Sequence, residues 1–187
     1  VKPPIREADK RNPISPYGSS KLSIETYCET YSNIFGLGTT ILRFSNAYGP
    51  YSGHKNSVVH KFVRNILNNK SIKINGKGNH TRDFIYVDDI ISAIKLNYKK
   101  KNTNDSYNIS TGKETSLKKL VQLLTDIFTL EYNKKVKYVY GSERLGDMLR
   151  NYSSNLKIKK YLSWKPKIKL EEGVRKTISW YVGESIK

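Results

Sequence analysis

The sequence lacks the features that mark several classes of protein. One cysteine, Cys28, occurs among the 187 residues, so no disulfide can form within the chain. No apolar run approaches the roughly 20 residues that a membrane-spanning helix needs. The start, Val1–Pro4, shows no signal-peptide pattern. These absences argue against a disulfide-stapled secreted domain and an integral membrane protein, and they predict a cytoplasmic protein with no membrane partner.

Acidic residues are also scarce. Asp and Glu number 16 against 34 Lys and Arg, which gives a net charge of +18. Such a charge raises the question of nucleic-acid binding. The lysines are scattered, however, and the chain has no zinc-ligand spacing, RNA-binding aromatic signature or basic arm. A solvated basic surface is therefore favoured over a nucleic-acid partner, and no metal site is predicted.

Hydrophobic residues make up 37% and charged residues 27% of the chain, as in a globular protein. Residues 17–35 are predicted to form a helix that feeds a buried strand at 39–44, the repeating unit of a parallel α/β sheet. Cys28 lies on an apolar stripe, and its predicted role is core packing. The other members of the stripe are Ile24, Tyr27, Tyr31 and Phe35. Further helices are expected at 58–67, 90–99, 117–128 and 170–182, and strands at 71–74, 106–110 and 136–140.

The stretch 12–21 contains the pair most suggestive of chemistry. Tyr17 and Lys21 are four residues apart at the predicted helix start, so their side chains share one face. A neighbouring ammonium group favours the phenolate, which can then act as a general acid or base. The spacing alone is more typical of a tyrosine that caps a helix beside a solvated lysine.

The surrounding motifs narrow this choice. Pro-Ile-Ser-Pro-Tyr-Gly-Ser-Ser-Lys at 13–21 is followed by Arg-Phe-Ser-Asn-Ala-Tyr-Gly-Pro at 43–50, and by further matches at 76–89, 107–116, 144–147 and 162–166. In order and spacing they resemble the extended short-chain dehydrogenase/reductase family, and within it the NAD-dependent nucleotide-sugar epimerases and dehydratases of the UDP-glucose 4-epimerase type. The matching motifs cover the C-terminal part of the proteins of that family.

The resemblance implies an α/β fold, made of the tail of a Rossmann-type doubly wound parallel sheet and a small mixed α/β substrate-binding domain. Residues 1–50 would be the C-terminal remnant of the NAD-binding domain. Residues 51–187 would form the nucleotide-sugar domain, with the chain crossing back near 80–110. The strands beside 39–44 are expected to lie upstream, so the chain is expected to be a truncated form of the family enzyme.

The resemblance also implies roles for individual residues. Tyr17 would exchange a proton with a sugar hydroxyl, Lys21 would bind the nicotinamide ribose, and Phe44 would lie beside the nicotinamide. Asn46 would bind the substrate near its diphosphate, and Arg82 and Arg144 would clamp the diphosphate. Asp147 would accept hydrogen bonds from the hydroxyl groups of the nucleotide ribose. Ser57, Val58, Lys73 and Asn75 would line the nucleotide pocket.

Three readings follow from this. The first is an NAD-dependent 4-epimerase of a UDP-sugar, acting as a homodimer, with a nucleotide-sugar 4,6-dehydratase as its close alternative. The second is a non-catalytic fragment that binds a nucleotide sugar, because the Gly-x-Gly at 76–78 lacks a third glycine and the chain has no dinucleotide loop. The third is a basic nucleic-acid-binding domain.

Leu145 stands where many epimerases have proline.

Overall fold

The computed structural model describes residues 2–100, 104–143 and 148–185. This part of the chain contains six helices and nine strands. The helices are α1 (Pro16–Phe35), α2 (Val58–Leu67), α3 (Val87–Lys99), α4 (Leu117–Tyr132), α5 (Leu156–Leu162) and α6 (Leu170–Ser185). The strands are β1 (Thr40–Phe44), β2 (Asn46–Tyr48), β3 (Ile72–Asn75), β4 (Thr81–Arg82), β5 (Phe84–Tyr86), β6 (Asp105–Ile109), β7 (Thr115–Ser116), β8 (Tyr138–Gly141) and β9 (Arg150–Asn151).

Local chemistry sets the ends of α1. The Ser15 side chain caps the helix by accepting a 3.1 Å hydrogen bond from the Gly18 amide, and Pro16 opens the first turn, where a missing N–H costs nothing. Gly36 ends the helix in the left-handed conformation, at φ 63°, which glycine adopts without steric strain. These signals hold Tyr17 and Lys21 in the first turn and a half of a 20-residue helix.

The strands pair mostly in parallel. β1 pairs with β6 and β2 with β5, and the chain passes directly from one pairing to the other at Ser45. β3 pairs with β8 in parallel, while β4 lies between antiparallel β7 and parallel β9. We expected the neighbours of strand 39–44 to lie upstream, but one of them, β6, belongs to this chain. The division at residue 50 stays a prediction.

Two apolar clusters hold these elements together. The larger joins α2, α4 and α6 to β3 and β5, and its fully buried members include Val63, Ile74, Leu120, Phe128 and Ile178. The smaller lies around β5, β6, α3 and α5, and includes Ile85, Ala93, Tyr107, Ile158 and Trp164. The helices at 58–67 and 117–132 therefore bury the apolar faces that their 3.6-residue periodicity predicted.

Helix α1 differs from the other long helices, because its apolar stripe faces outward. Tyr27, Tyr31 and Phe35 are 68%, 49% and 64% exposed, and Cys28 is only half-buried. The predicted core packing of Cys28 is therefore only partial within the described residues, and the aromatic members of the stripe are exposed. Ser32 is the one fully buried side chain of α1, since the helix meets β1 through its polar face.

Two buried aspartates flank β5 and hold neighbouring loops. Asp83 accepts hydrogen bonds from the amides of Thr111 and Gly112 and from the Thr111 hydroxyl, at 2.6–3.0 Å. Asp89 accepts from the amides of Lys167 and Ile168 at 2.9 and 3.1 Å. Asp89 lies in the first turn of α3, because this helix begins at Val87 rather than at the predicted residue 90. Its carboxylate is buried and binds the 167–168 backbone.

Within the described residues, no helix combines the length and the apolar character that crossing a bilayer would require.

Candidate functional site

A cavity of about 300 Å³ opens between α2, β3, β4 and the β2–β5 pair. Its wall contains six of the residues that the family resemblance assigned to substrate binding. They are Asn46, Ser57, Val58, Lys73, Asn75 and Arg82. These residues span 37 positions of sequence, so the tertiary structure alone brings them to one place.

Strand β3 supplies two of these side chains through its alternation. Ile72 and Ile74 are 0% and 1% exposed and point into the core, which turns Lys73 and Asn75 toward the cavity. The Lys73 side chain passes across Gly141 of the paired strand β8, where a Cβ atom would meet its aliphatic stem. Gly141 therefore leaves room for Lys73 to lie in the wall.

The first turn of α2 supplies Ser57 and Val58. Ser57 occupies the N-cap position but makes no capping hydrogen bond, and its buried hydroxyl has no hydrogen-bond partner among the described residues. The first amides of a helix are free donors at the positive end of its dipole, which suits a bound anion. This corner of the cavity therefore offers unused polar groups.

Asn46 and Arg82 face each other across the β2–β5 region. The Asn46 amide and side chain both donate to the Asp83 carbonyl, at 2.9 and 3.2 Å. Arg82 donates from Nη1 to the carbonyls of Thr81 and Met148, at 2.8 and 2.7 Å. Backbone contacts thus fix both side chains before any ligand arrives.

The charged side chains that line the cavity, among the described residues, are all positive. Lys61, Lys73 and Arg82 line it, together with the carboxamides of Asn46, Asn56 and Asn75, and no Asp or Glu lines it among the described residues. Lysine and arginine bind phosphate oxygens, and carboxamides bind neutral hydroxyl and carbonyl groups. The cavity can therefore accept a ligand that joins a phosphate group to a polar uncharged part.

Tyr17, Lys21 and Phe44 lie outside this cavity on an open face. The Lys21 ammonium lies 5.3 Å from the centroid of the Tyr17 ring, so the two side chains do share one face of α1. Tyr17 is 73% exposed, and Phe44, at the end of β1, is 49% exposed. An exposed phenol and aromatic ring leave this face free for a large ligand.

Arg43 fixes α1 against β1 and so positions this face. Its guanidinium binds Glu25 of α1 through Nε and Nη2, at 2.8 and 2.7 Å. Burial opposes ionisation of Glu25, but the hydrogen bonds and charge of Arg43 outweigh it and lower the pKa of this carboxyl. The ionised pair ties the helix that carries Tyr17 and Lys21 to the strand that carries Phe44.

A family model described as GDP-mannose 4,6-dehydratase matches residues 1–177. The chain belongs to this family. UDP-glucuronate 4-epimerase of Thermodesulfobacterium geofontis is a relative with 32% identity over 185 residues, covering 95% of this chain and 54% of its own. The chain spans about half the length of the curated relatives it matches.

Solved structures of this family have the same fold. The UDP-glucose 4-epimerase of Thermotoga maritima, crystallised with UDP-glucose, matches with a TM-score of 0.90 and 35% identity, over 100% of this chain and 60% of its own. DesIV, a dTDP-glucose 4,6-dehydratase of Streptomyces venezuelae with bound NAD, matches with a TM-score of 0.87 and 26% identity, over 98% of this chain and 56% of its own. The predicted family and α/β fold class are confirmed.

Two residues assigned from the family resemblance, Arg144 and Asp147, lie outside the described residues. Conversely, Asn56, Lys61, Phe62 and Leu117 line the cavity without having been assigned. The sequence gives a partial indication that Lys61 lines the cavity, since it lies one helical turn after Ser57 and Val58. Leu117 has none, because it comes from α4, remote in sequence.

Proposed function

We propose that the complete protein is an NAD-dependent 4-epimerase of a UDP-sugar and that the cavity at α2 and β3 binds this substrate. The observation that carries the proposal is the wall of that cavity, where the described residues include Arg82, Lys73 and three carboxamides but no acid. The cations suit the diphosphate, and the carboxamides suit a uracil or sugar. Arg144 and Asp147 would complete the site, as the family resemblance implies.

The chain's own residues suit one end of the cofactor. The exposed Tyr17, Lys21 and Phe44 offer a hydroxyl, an ammonium and an aromatic ring to a nicotinamide nucleoside. The sequence contains no Gly-x-Gly-x-x-Gly run for the pyrophosphate, so this chain by itself fits NAD only in part. NAD, when bound, accepts and returns a hydride.

In this proposal Tyr17 holds and returns the proton of the sugar 4-hydroxyl. Lys21 would anchor the ribose of the cofactor, and Phe44 would lie beside its nicotinamide ring. Arg82 and Lys73 anchor the diphosphate and leave the sugar facing Tyr17. On the family resemblance, we also propose that the protein is a cytoplasmic homodimer.

The dehydratase alternative rests on the similarity to DesIV. A 4,6-dehydratase begins with the same oxidation at C4 and then eliminates water, so both activities would use Tyr17 and the same diphosphate site. The products separate them, since an epimerase returns a 4-hydroxyl sugar and a dehydratase releases a 4-keto-6-deoxy sugar. A fragment that only binds would give neither product.

Binding is tested on the purified chain. We expect Lys73→Ala and Arg82→Ala each to weaken UDP-glucose binding by about tenfold or more in titration calorimetry, since each removes a charged phosphate partner. Lys95→Ala, which removes one exposed lysine of α3, is the matched control and should leave the affinity unchanged. Equal affinities in all three variants would rule out this cavity as the substrate site.

Activity is tested on the complete protein with its upstream part. We expect interconversion of UDP-glucose and UDP-galactose, and Tyr17→Phe should lower kcat by about a hundredfold or more while UDP-glucose affinity is kept. The purified 187-residue chain should neither retain NAD nor turn over. A 4-keto-6-deoxy product would support the dehydratase instead, and full activity of Tyr17→Phe would refute the role of Tyr17.

A further inference from the structure

A second cavity, of about 430 Å³, lies beside the substrate cavity and has no part in the proposed function. It opens between β5, the loop after β6, the start of α4 and the loop before α6. Phe84 of β5 lines both cavities. Its size falls in the usual range for small-molecule sites.

Four lysines line this second cavity: Lys113, Lys119, Lys167 and Lys169. Among the described residues, no carboxylate forms an ion pair with any of their ammonium groups. Like charges gathered around one concave surface repel one another and attract an anion. The cavity therefore carries positive charge that the protein itself does not balance.

Two acidic residues also line the cavity, but each already has an arginine partner. Glu114 accepts from Nε and Nη2 of Arg150 at 3.0 and 2.7 Å, and from the Thr81 hydroxyl at 2.8 Å. Glu171 accepts from Nη2 of Arg175 at 2.7 Å. Arg175 also pairs with Glu131, so two acids share its charge. The four lysines still outnumber the two carboxylates of the lining, which leaves the wall with net positive charge.

The loops that carry three of the lysines are held in place by buried groups. Asp83 binds the backbone of Thr111 and Gly112, next to Lys113, and Asp89 binds the amides of Lys167 and Ile168. The Trp164 indole N–H donates a 3.2 Å hydrogen bond to the backbone carbonyl of Asp89. A site on fixed backbone loses less entropy on binding than one on free loops.

The rest of the lining is apolar. Phe84, Leu123, Ile168 and Leu170 contribute hydrocarbon surface below the lysines, and Pro166 adds a rigid ring. Inorganic anions gain nothing from such a surface, whereas an organic anion buries its body there. We propose that this cavity is a second ligand site, for a small organic phosphate with an aromatic or apolar body.

The test uses phenyl phosphate as the probe and the ¹⁵N-labelled chain at low ionic strength. Amide shifts of residues 111–113 and 167–169 should move during the titration, and the affinity should fall as salt is added. Lys167→Ala/Lys169→Ala should weaken binding by about tenfold or more. This variant keeps the backbone amides that Asp89 binds, and its thermal midpoint should match that of the unchanged chain.

The matched control is Lys95→Ala/Lys159→Ala, which removes the same charge from exposed positions of α3 and α5 and should bind as the unchanged chain does. Arg82→Ala should also bind normally, since Arg82 lines the other cavity. Inorganic phosphate should bind more weakly than phenyl phosphate. The proposal fails if shifts appear only around the substrate cavity, if both double variants bind alike, or if inorganic phosphate binds equally well.

Discussion

At the scale of single residues, His60 is the most unusual ionisable group outside the candidate site. Its side chain is 0% exposed, and its Nδ1 lies 2.9 Å from the Tyr181 hydroxyl. Burial, reinforced by the charges of Arg64 and Lys55 and by His54, lowers its pKa from 6.5 to about 4. His60 therefore stays neutral in the folded protein well below the pH at which it ionises in the unfolded chain.

This difference predicts an acid-sensitive stability. Because the unfolded chain binds the proton first, the stability linked to His60 is complete above pH 6.5 and is lost as the pH falls from 6.5 toward 4. Between pH 7.5 and 5 we expect the free energy of unfolding to fall by about 2 kcal/mol through this group. Denaturant unfolding at the two pH values measures the fall.

His60→Gln keeps a neutral hydrogen-bonding group near Tyr181 and removes the titration. Its stability should therefore fall less between these pH values than that of the unchanged chain. Equal falls in the two proteins would show that His60 does not control the acid sensitivity. The sequence offered no hint of this residue, because His60 sits on an ordinary amphipathic helix and only the packing of α6 over α2 encloses it.

At the scale of elements, the start of α3 contains two neighbouring aspartates with different surroundings. Asp88 is exposed, whereas Asp89 is 3% exposed and binds the 167–168 backbone. A carboxylate at a helix start complements the helix dipole, and this position is enough to account for Asp88. The contacts of the buried Asp89 carboxylate involve residues 78 and 79 positions away, which no local pattern reveals.

The pair provides its own control. We expect Asp89→Ala to lower the free energy of unfolding by about 3 kcal/mol, because it removes two charge-assisted hydrogen bonds that the buried carboxylate accepts from the 167–168 backbone. Asp88→Ala should cost only about 0.3–1 kcal/mol, the usual value of a charge at a helix start. Chemical denaturation of both variants gives the comparison. Similar losses in the two would mean that Asp89 acts only through the dipole.

At the scale of the whole molecule, α1 exposes a broad apolar face. Ile24, Tyr27, Ile34 and Phe35 are each more than half exposed. Contiguous apolar surface of this kind normally lies against another part of the protein or a partner. In the homodimer that we propose above, a contact through α1 would cover this face.

We therefore expect the purified chain to self-associate through α1. Tyr27→Lys/Phe35→Lys should lower the concentration-dependent association seen by light scattering, because it places charge in the apolar face. Tyr98→Lys/Leu130→Lys is the matched control, since it adds the same charge at positions that are 89% and 82% exposed on α3 and α4. Association that persists unchanged in the α1 variant would locate the contact elsewhere.

The sequence by itself determined the family, the α/β class and the order of most elements. Motifs such as 13–21 and 43–50 are local, and helix periodicity, caps and β-branched runs act within a few residues. It also singled out Tyr17 and Lys21, since their i, i+4 spacing is a property of one helix.

Only the tertiary structure decided which side chains meet. Residues that are distant along the chain meet in three places. They form the cavity wall with Lys73, Asn46 and Arg82, the buried contact of His60 with Tyr181, and the four-lysine cavity. The tertiary structure also decided how far the stripe around Cys28 is buried, because an amphipathic pattern shows which face of a helix is apolar and not what covers it. What covers the apolar face of a helix depends on contacts between residues that are distant in sequence, and no local sequence pattern indicates those contacts.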